Sequence, residues 1–390
     1  MKKLKWLQAG YTALLVSAVG MPAQAARLAD MDVSLNGFLT AGMVSSDNRD
    51  ADFMHKVGEN ITFDLDTMMG IRIGVQIDDR TSVAMQIRTS SRDTEDSLEV
   101  DWAYVGYELN DETEIRGGRI GFPVFMFSEV LEVGYAYPWI RPPVEVYSQV
   151  PFTSMNGADL LYRTDWMDLD WTLQPFLGNE DTTTELGLTA ANGALLTGIS
   201  TLVGQPQTFS PGTVAIDLDV EGLYGLNISA DTGWSVFRVG YVVAADATVK
   251  SPGQFAAAGL VQGVKGTFFN AGMTLDWNNI VGYSEFTHTK VDGLFPDSTA
   301  WYMTLGYRMG KFLPHLTYSD INADDNSPLG ANQDSVTLGL RYETSNSSSL
   351  KVEWQRLEVD SGALGNAGIN FSTDPGDDVN VISVAFDLVF

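Results

Sequence analysis

The sequence predicts an all-β protein: a transmembrane antiparallel β-barrel of about sixteen strands, with one long loop folded inward. Three observations predict it. The chain finishes on an alternating apolar strand, the N-terminus reads as an export signal with no spanning helix after it, and segments of about ten alternating residues fill the length between.

The last strand runs Val381-Ile382-Ser383-Val384-Ala385-Phe386-Asp387-Leu388-Val389-Phe390. Side chains in a strand repeat every two residues, so Ile382, Val384, Phe386, Leu388 and Phe390 share one face. A soluble protein rarely ends on such a strand, because its edge would pair with other chains. In a closed barrel the same strand pairs with the first one and its outer face meets lipid. Phe386, Leu388 and Phe390 are therefore the candidate assembly signal.

At the other end, Lys2, Lys3 and Lys5 precede a mostly apolar stretch and the small-x-small pattern Ala23-Gln24-Ala25. That is the build of a secretory signal peptide over 1–25, too short to span as a transmembrane helix. The expected mature chain is one barrel domain, 26–390. Mean hydropathy is -0.02, and no later segment has the long uninterrupted apolar run of a spanning helix. Cysteine is absent, which removes disulfides, thiolate metal sites and haem attachment through cysteine. Without the three signal lysines, 20 basic residues face 50 acidic ones, which argues against nucleic acid as a partner.

Strands are predicted at 33–43, 69–77, 83–88, 100–109, 115–120, 157–164, 169–178, 215–229, 234–246, 264–277, 280–289, 299–309, 312–320, 333–343, 349–358 and 378–390. Short turns such as Asp78-Asp79-Arg80-Thr81, Asn110-Asp111-Glu112-Thr113, Asn278-Asn279 and Met309-Gly310-Lys311 alternate with longer polar loops. An even strand number with this rhythm puts short turns at one end of a barrel and long loops at the other. One face of each strand carries Ile, Val, Leu, Phe and Trp. The other repeatedly carries ionisable side chains: Arg72, Arg88, Arg238, Arg341, Lys351 and Glu353. Lipid outside and water within fits that division, and sixteen strands enclose a channel where eight would be filled by side chains.

The connection over 121–156 is the exception among the long loops. It holds Phe122, Phe125, Phe127, Tyr135, Tyr137, Trp139 and Tyr147, with Pro123, Pro138, Pro142 and Pro143 between them. So apolar a loop is not stable in free water, and folding against the inner wall buries it; a lid or a subunit contact are the alternatives. The prolines restrict its backbone and reduce the entropy lost on ordering it. Glu129, Glu132 and Glu145 lie on this loop, while Arg72, Arg88 and Arg116 point inward from the strands. Opposed acidic and basic rims would set a transverse field in a narrow pore. Solvated lumen charges or internal ion pairs are the plainer reading. Arg141, within Trp139-Ile140-Arg141-Pro142-Pro143, is either a loop anchor or a pore charge.

On signal, strand rhythm and terminal Phe390, the chain resembles the Gram-negative outer-membrane porin family. The segment Tyr137-Pro138-Trp139-Ile140-Arg141-Pro142-Pro143-Val144-Glu145-Val146-Tyr147 is similar to a stretch of some porin-like proteins. The resemblance implies a homotrimer of water-filled pores in the outer membrane, each narrowed by its third extracellular loop. It implies contact with outer-membrane lipid and lipopolysaccharide, and recognition of the last strand by the barrel-assembly machinery. The Pro-Glu-Phe-Gly motif of the best-known general porins is missing, so their constriction residues do not transfer directly.

The expected function is passive diffusion of small hydrophilic solutes and ions, with a weak preference for cations, and no cofactor. A substrate-selective channel in which Tyr135, Tyr137, Trp139 and Tyr147 form a track for sugars is the alternative. An adhesin or receptor would rest on the Thr-, Gly- and Leu-rich segment 179–212. Catalysis is not expected, since Ser284 and His288 share a strand face without a recognisable oxyanion hole. His55, His288 and His315 form no paired zinc motif, and the run from Asp320 to Asn326 lacks the glycine and the final glutamate of a calcium loop.

Overall fold

The computed structural model describes residues 26–28, 31–49, 52–54, 56–91, 98–188, 190–202, 204–210, 212–251, 262–292, 297–323, 332–360, 371 and 378–390. The segment read as a signal peptide lies outside the described residues. A short strand, β1 (Ala26–Leu28), pairs with the start of β2. Sixteen strands then form a closed antiparallel ring. They are β2 (Met31–Ser46), β3 (Met68–Gln76), β4 (Thr81–Ser90), β5 (Leu98–Glu108), β6 (Thr113–Gly121), β7 (Ser154–Trp166), β8 (Leu169–Leu188) and β9 (Gly212–Asp231). The ring continues with β10 (Ser235–Ser251), β11 (Val264–Trp277), β12 (Ile280–Val291), β13 (Ser298–Tyr307), β14 (Phe312–Ala323), β15 (Asn332–Ser345), β16 (Ser348–Asp360) and β17 (Val379–Val389).

Each strand pairs with its neighbours in sequence, and β17 closes against β2 in the register Phe386↔Ala41, Leu388↔Leu39. Closure leaves no strand edge unpaired, which backbone in hydrocarbon requires. The turns are built for tight reversal. Met167 and Asp168 both take positive φ (55° and 59°), the geometry a two-residue hairpin needs to match strand twist. At the β3–β4 turn the Asp78 carboxylate accepts from the Arg80 and Thr81 N–H groups, each at 2.8 Å.

The two faces divide as the alternation predicts. Leu35, Ile73, Val105, Phe237, Leu305, Leu338 and Ile382 are exposed on the outside. Gln86, Arg88, Arg116, Asp159, Glu285, Lys351 and Glu353 are buried within. A barrel apolar outside and ionisable inside belongs in a bilayer, not in water. Outer aromatic pairs gather along part of the wall: Trp166–Trp171, Trp301–Tyr318 and Phe312–Tyr342, with centroids 5.9, 5.4 and 4.8 Å apart. On the outer face of β3 to β6 the aromatic is Tyr107 alone among the described residues; Met69, Ile73, Met85, Val105 and Ile115 make up the rest of that surface.

One predicted element is corrected. The segment 179–212, read as a long loop, continues β8 to Leu188 and then forms a helix, α2 (Ala190–Leu202), before β9. Both strands have 20 residues, about twice the 9–11 a tilted strand needs to cross hydrocarbon. Along β8 the apolar alternation ends over 179–185 while pairing continues through Asp181↔Asp219 and Thr183↔Asp217; the facing stretch of β9 keeps it, with Ile216 and Val220 buried. The Thr183 hydroxyl donates to the Asp217 carboxylate at 2.7 Å, a cross-strand bond that replaces apolar packing there.

Candidate functional site: the lumen loop and its charged wall

The connection 122–153 turns into the barrel directly after β6 and runs across the lumen. It contains two 3-10 turns (Ser128–Val130 and Gly134–Ala136) and one helical turn, α1 (Val144–Tyr147). Its aromatic residues explain the path. Phe122, Phe125, Phe127, Tyr137 and Trp139 share one core with Phe268 of β11 and Tyr302 of β13. Trp139 is 1% exposed and meets Phe127 and Tyr302 edge-on, at 5.6 and 5.5 Å. Such pairs each contribute about 0.5–1.5 kcal/mol beyond the area they bury.

Polar groups of the wall complete the hold. The Pro123 carbonyl accepts from Asn227 of β9 at 2.6 Å and Arg238 of β10 at 2.7 Å. The Met126 N–H donates to Glu285 of β12 at 2.8 Å, and the Tyr147 hydroxyl donates to the same carboxylate at 2.8 Å. Burial, reinforced by that carboxylate, pushes the Tyr147 phenol well above its ordinary value, so it stays a donor. The Trp139 indole donates to Thr304 and Thr317 at 3.1 and 3.0 Å. Lys351 of β16, paired with Asp387 at 2.9 Å, donates to the Gly134 and Trp139 carbonyls, both at 2.6 Å.

Arg141 and Glu145 belong to this joint. Arg141 is 8% exposed, ion-paired with Asp66 of the first loop and hydrogen-bonded to Ser383 of β17 at 2.7 Å. Glu145 is fully buried and accepts from Ser319 at 2.6 Å and Gln333 at 2.7 Å. Neither lies on a water-filled rim: the anchor alternative describes Arg141, held by Asp66 and Ser383 just before Pro142-Pro143, and Glu145 joins it, aimed into the wall by the helical turn α1. Above them Phe53, Val57 and Leu65 of the first loop pack with Val144, Leu357, Val379, Val381 and Phe371. First and third loops therefore share a core.

The other predicted charges converge on one sector. Arg72 of β3 is half-buried, its guanidinium 4.8 Å from the Trp102 ring and 3.4 Å from the Tyr104 hydroxyl. Arg88 of β4 lies 3.8 Å from Glu132, and Arg116 of β6 lies 3.4 Å from Glu129. The sequence allows these acids and arginines to stand on opposed rims of a gap, to be solvated in the lumen or to form internal ion pairs. In the structure they are ion-pair neighbours, because the first 3-10 turn lays the loop against β4 and β6. The space left between loop and wall there is a cavity of about 10 Å³, lined by Gln86, Asp101, Trp102, Ser128, Glu129 and Leu131. That is room for about one water molecule.

Sequence reading missed the carboxylates behind these arginines. Asp101 of β5 accepts from Arg88 at 3.1 Å and Gln86 at 3.0 Å. Asp159 of β7 accepts from Arg116 at 2.9 Å and Gln174 at 2.8 Å. An inward alternation position was the available signal for Asp159, directly across from Arg116. Asp101 is a bulge residue, which alternation does not reveal. The proposed sugar track is not open: Tyr135, Tyr137 and Trp139 are 7, 3 and 1% exposed, with their faces against the wall. The acidic run beginning at Asp320 falls partly outside the described residues, and no three-residue metal-ligand group occurs among the described ones.

A closed sixteen-stranded barrel, apolar outside and charged inside, with a loop folded into its lumen, defines a transmembrane barrel of porin-like fold. Solved structures agree. An anion-selective porin from Comamonas acidovorans is similar over 92% of this chain and 100% of its own, at TM-score 0.59 and 12% identity. OmpT of Vibrio cholerae is similar over 94% of this chain and 100% of its own, at TM-score 0.58 and 11% identity. A trimer form of that OmpT matches at TM-score 0.54 and 11% identity, over 92% of this chain and 99% of its own. No protein-family model and no curated protein matches the sequence.

Proposed function

We propose that this barrel is an outer-membrane porin, a channel for passive diffusion of small hydrophilic solutes and ions with a weak preference for cations. One observation carries the reading: a loop bearing Glu129 and Glu132 lies inside a lumen whose wall presents Arg72, Arg88 and Arg116. Purified protein in planar bilayers should give stepwise single-channel currents. Folded barrels that leave the bilayer silent would overturn the proposal.

A narrow, substrate-selective pore is the second reading. The contact between Glu132 and Arg88, which fixes the loop inside the barrel against β4, favours a restricted path over a wide one. Sugar permeation measured against ionic conductance separates the two.

The proposed assembly is a homotrimer in contact with outer-membrane lipid and lipopolysaccharide. The aromatic-poor outer face of β3 to β6 supports it. Aromatic side chains line membrane interfaces, whereas aliphatic surfaces with small residues such as Ala103 and Gly117 allow a second copy to approach closely.

A further inference from the structure

Arg88 and Arg116 do not present bare charge to the lumen. In the β4–β5 ladder Gln86 pairs with Trp102 and Ile87 with Val100, so Asp101 is an extra residue with no partner of its own. A bulge of this kind re-aims a side chain, and here it turns the Asp101 carboxylate onto the Arg88 guanidinium. Asp159 reaches Arg116 without a bulge, by standing directly across the β6–β7 ladder. Both acids are on the rigid wall, 5 and 3% exposed, and each is fixed from behind by a glutamine, Gln86 or Gln174.

We propose that Asp101 and Asp159 are specificity-determining residues: these two wall carboxylates neutralise the arginines of the constriction and leave it net negative. The proposal rests on the channel reading above. In this sector three arginines (Arg72, Arg88, Arg116) face five carboxylates (Asp101, Asp159, Glu129, Glu132, and Glu99 at 2.6 Å from Arg88), a balance of two negative charges. Without the wall pair the balance is zero. Loop acids alone therefore do not make the passage cation-preferring. A unit charge about 6 Å from an ion's path in water changes local ion density about threefold, less as salt screens it.

The test is the zero-current potential across a KCl gradient in dilute salt, with folded protein confirmed by heat-modifiable migration. Asp101→Asn and Asp159→Asn should each lower the cation-to-anion permeability ratio, by at most about threefold once salt screens the charge, and the double variant should lower it by the product of the two single factors. Arg116→Gln alone should raise the ratio. Arg116→Gln with Asp159→Asn, which removes the pair together and keeps the net charge, should return it to the wild-type value. This last variant leaves no buried charge unpartnered, so it tests the idea even where Asp159→Asn fails to fold. An unchanged ratio in conducting Asn variants would overturn the proposal. So would a paired variant as cation-selective as Arg116→Gln. Wild-type barrels that do not conduct would remove the channel reading itself, a result distinguishable from either.

Discussion

The ring of Phe390 lies over the α-carbon of Gly37. The two residues exchange backbone hydrogen bonds, Gly37 N–H to the Phe390 carbonyl at 2.8 Å and Phe390 N–H to the Gly37 carbonyl at 3.0 Å. A Cβ on Gly37 would fall within the Phe390 ring. Glycine here is a socket that lets the last aromatic residue cover the first barrel strand, as aromatic groups shield strand glycines elsewhere.

Barrel closure should therefore fail from either side of this contact. Deleting Phe390 is expected to leave periplasmic protein that migrates as unfolded without heating. Gly37→Val should cut the yield of heat-modifiable barrel in the outer membrane, and Gly37→Ala should do so less. Normal yields from both Phe390 deletion and Gly37→Val would show that closure does not depend on the contact.

The loop prediction concerns conductance. Lys351, Glu353 and Asp66 hold the segment around Trp139 to Arg141, with the Ile140 N–H donating to Glu353 at 2.8 Å. Deleting 132–144 should raise single-channel conductance. Unchanged conductance in a folded barrel would place the loop outside the permeation path.

A single-atom change tests the same anchor. Asp66→Asn leaves the buried Arg141 guanidinium without its carboxylate, a loss on the order of 3–5 kcal/mol where both groups are buried. The expected result is a lower thermal unfolding temperature and noisier open-channel current. Thermal stability and current noise equal to wild type would show that the pair does not hold the loop.

Much of this was legible in the sequence because a barrel writes itself in a period of two. Strands such as Met68–Gln76 and Val379–Val389 alternate lipid-facing and lumen-facing residues, and water against hydrocarbon makes the contrast large. The infolded loop was legible from Phe125, Phe127 and Trp139, too apolar for a free loop. The extension of β8 past residue 178 was not, since residues 179–185 carry no apolar alternation, whereas the facing stretch of β9 from 215 on alternates and was legible. Asp101 was hidden by its bulge, which shifts the register that alternation relies on. Which acid meets which arginine, Glu132 with Arg88 and Glu129 with Arg116, was also hidden, because sequence gives the sign of two charges but not their separation.

Assembly gives the next prediction. If the β3–β6 outer face meets a second copy, Ile73→Asp together with Val105→Asp should yield folded monomers; the two side chains are 38 and 50% exposed in the single chain. Mass measured by light scattering in mild detergent reads this out. A trimer that survives both substitutions would move the interface to another face.

The last prediction concerns ion preference and its dependence on salt. Acidic residues outnumber basic ones 50 to 23 in the full sequence, so the average field at the mouths of the channel should enrich cations. Screening limits that enrichment, because the Debye length is about 8 Å at physiological ionic strength and about 3 Å in molar salt. Charges in the outer loops thus count only in dilute solution, and charges at the constriction count in both. Arg72 stands at that constriction between Trp102 and Tyr104. Replacing it with serine removes one positive charge and should increase the cation preference, most strongly in dilute salt where screening is weakest. Zero-current potentials across a KCl gradient, taken at low and high salt, measure both effects. An anion-selective potential for the wild-type channel at low salt would mean that Arg72, Arg88 and Arg116, not the acids around them, govern the pore.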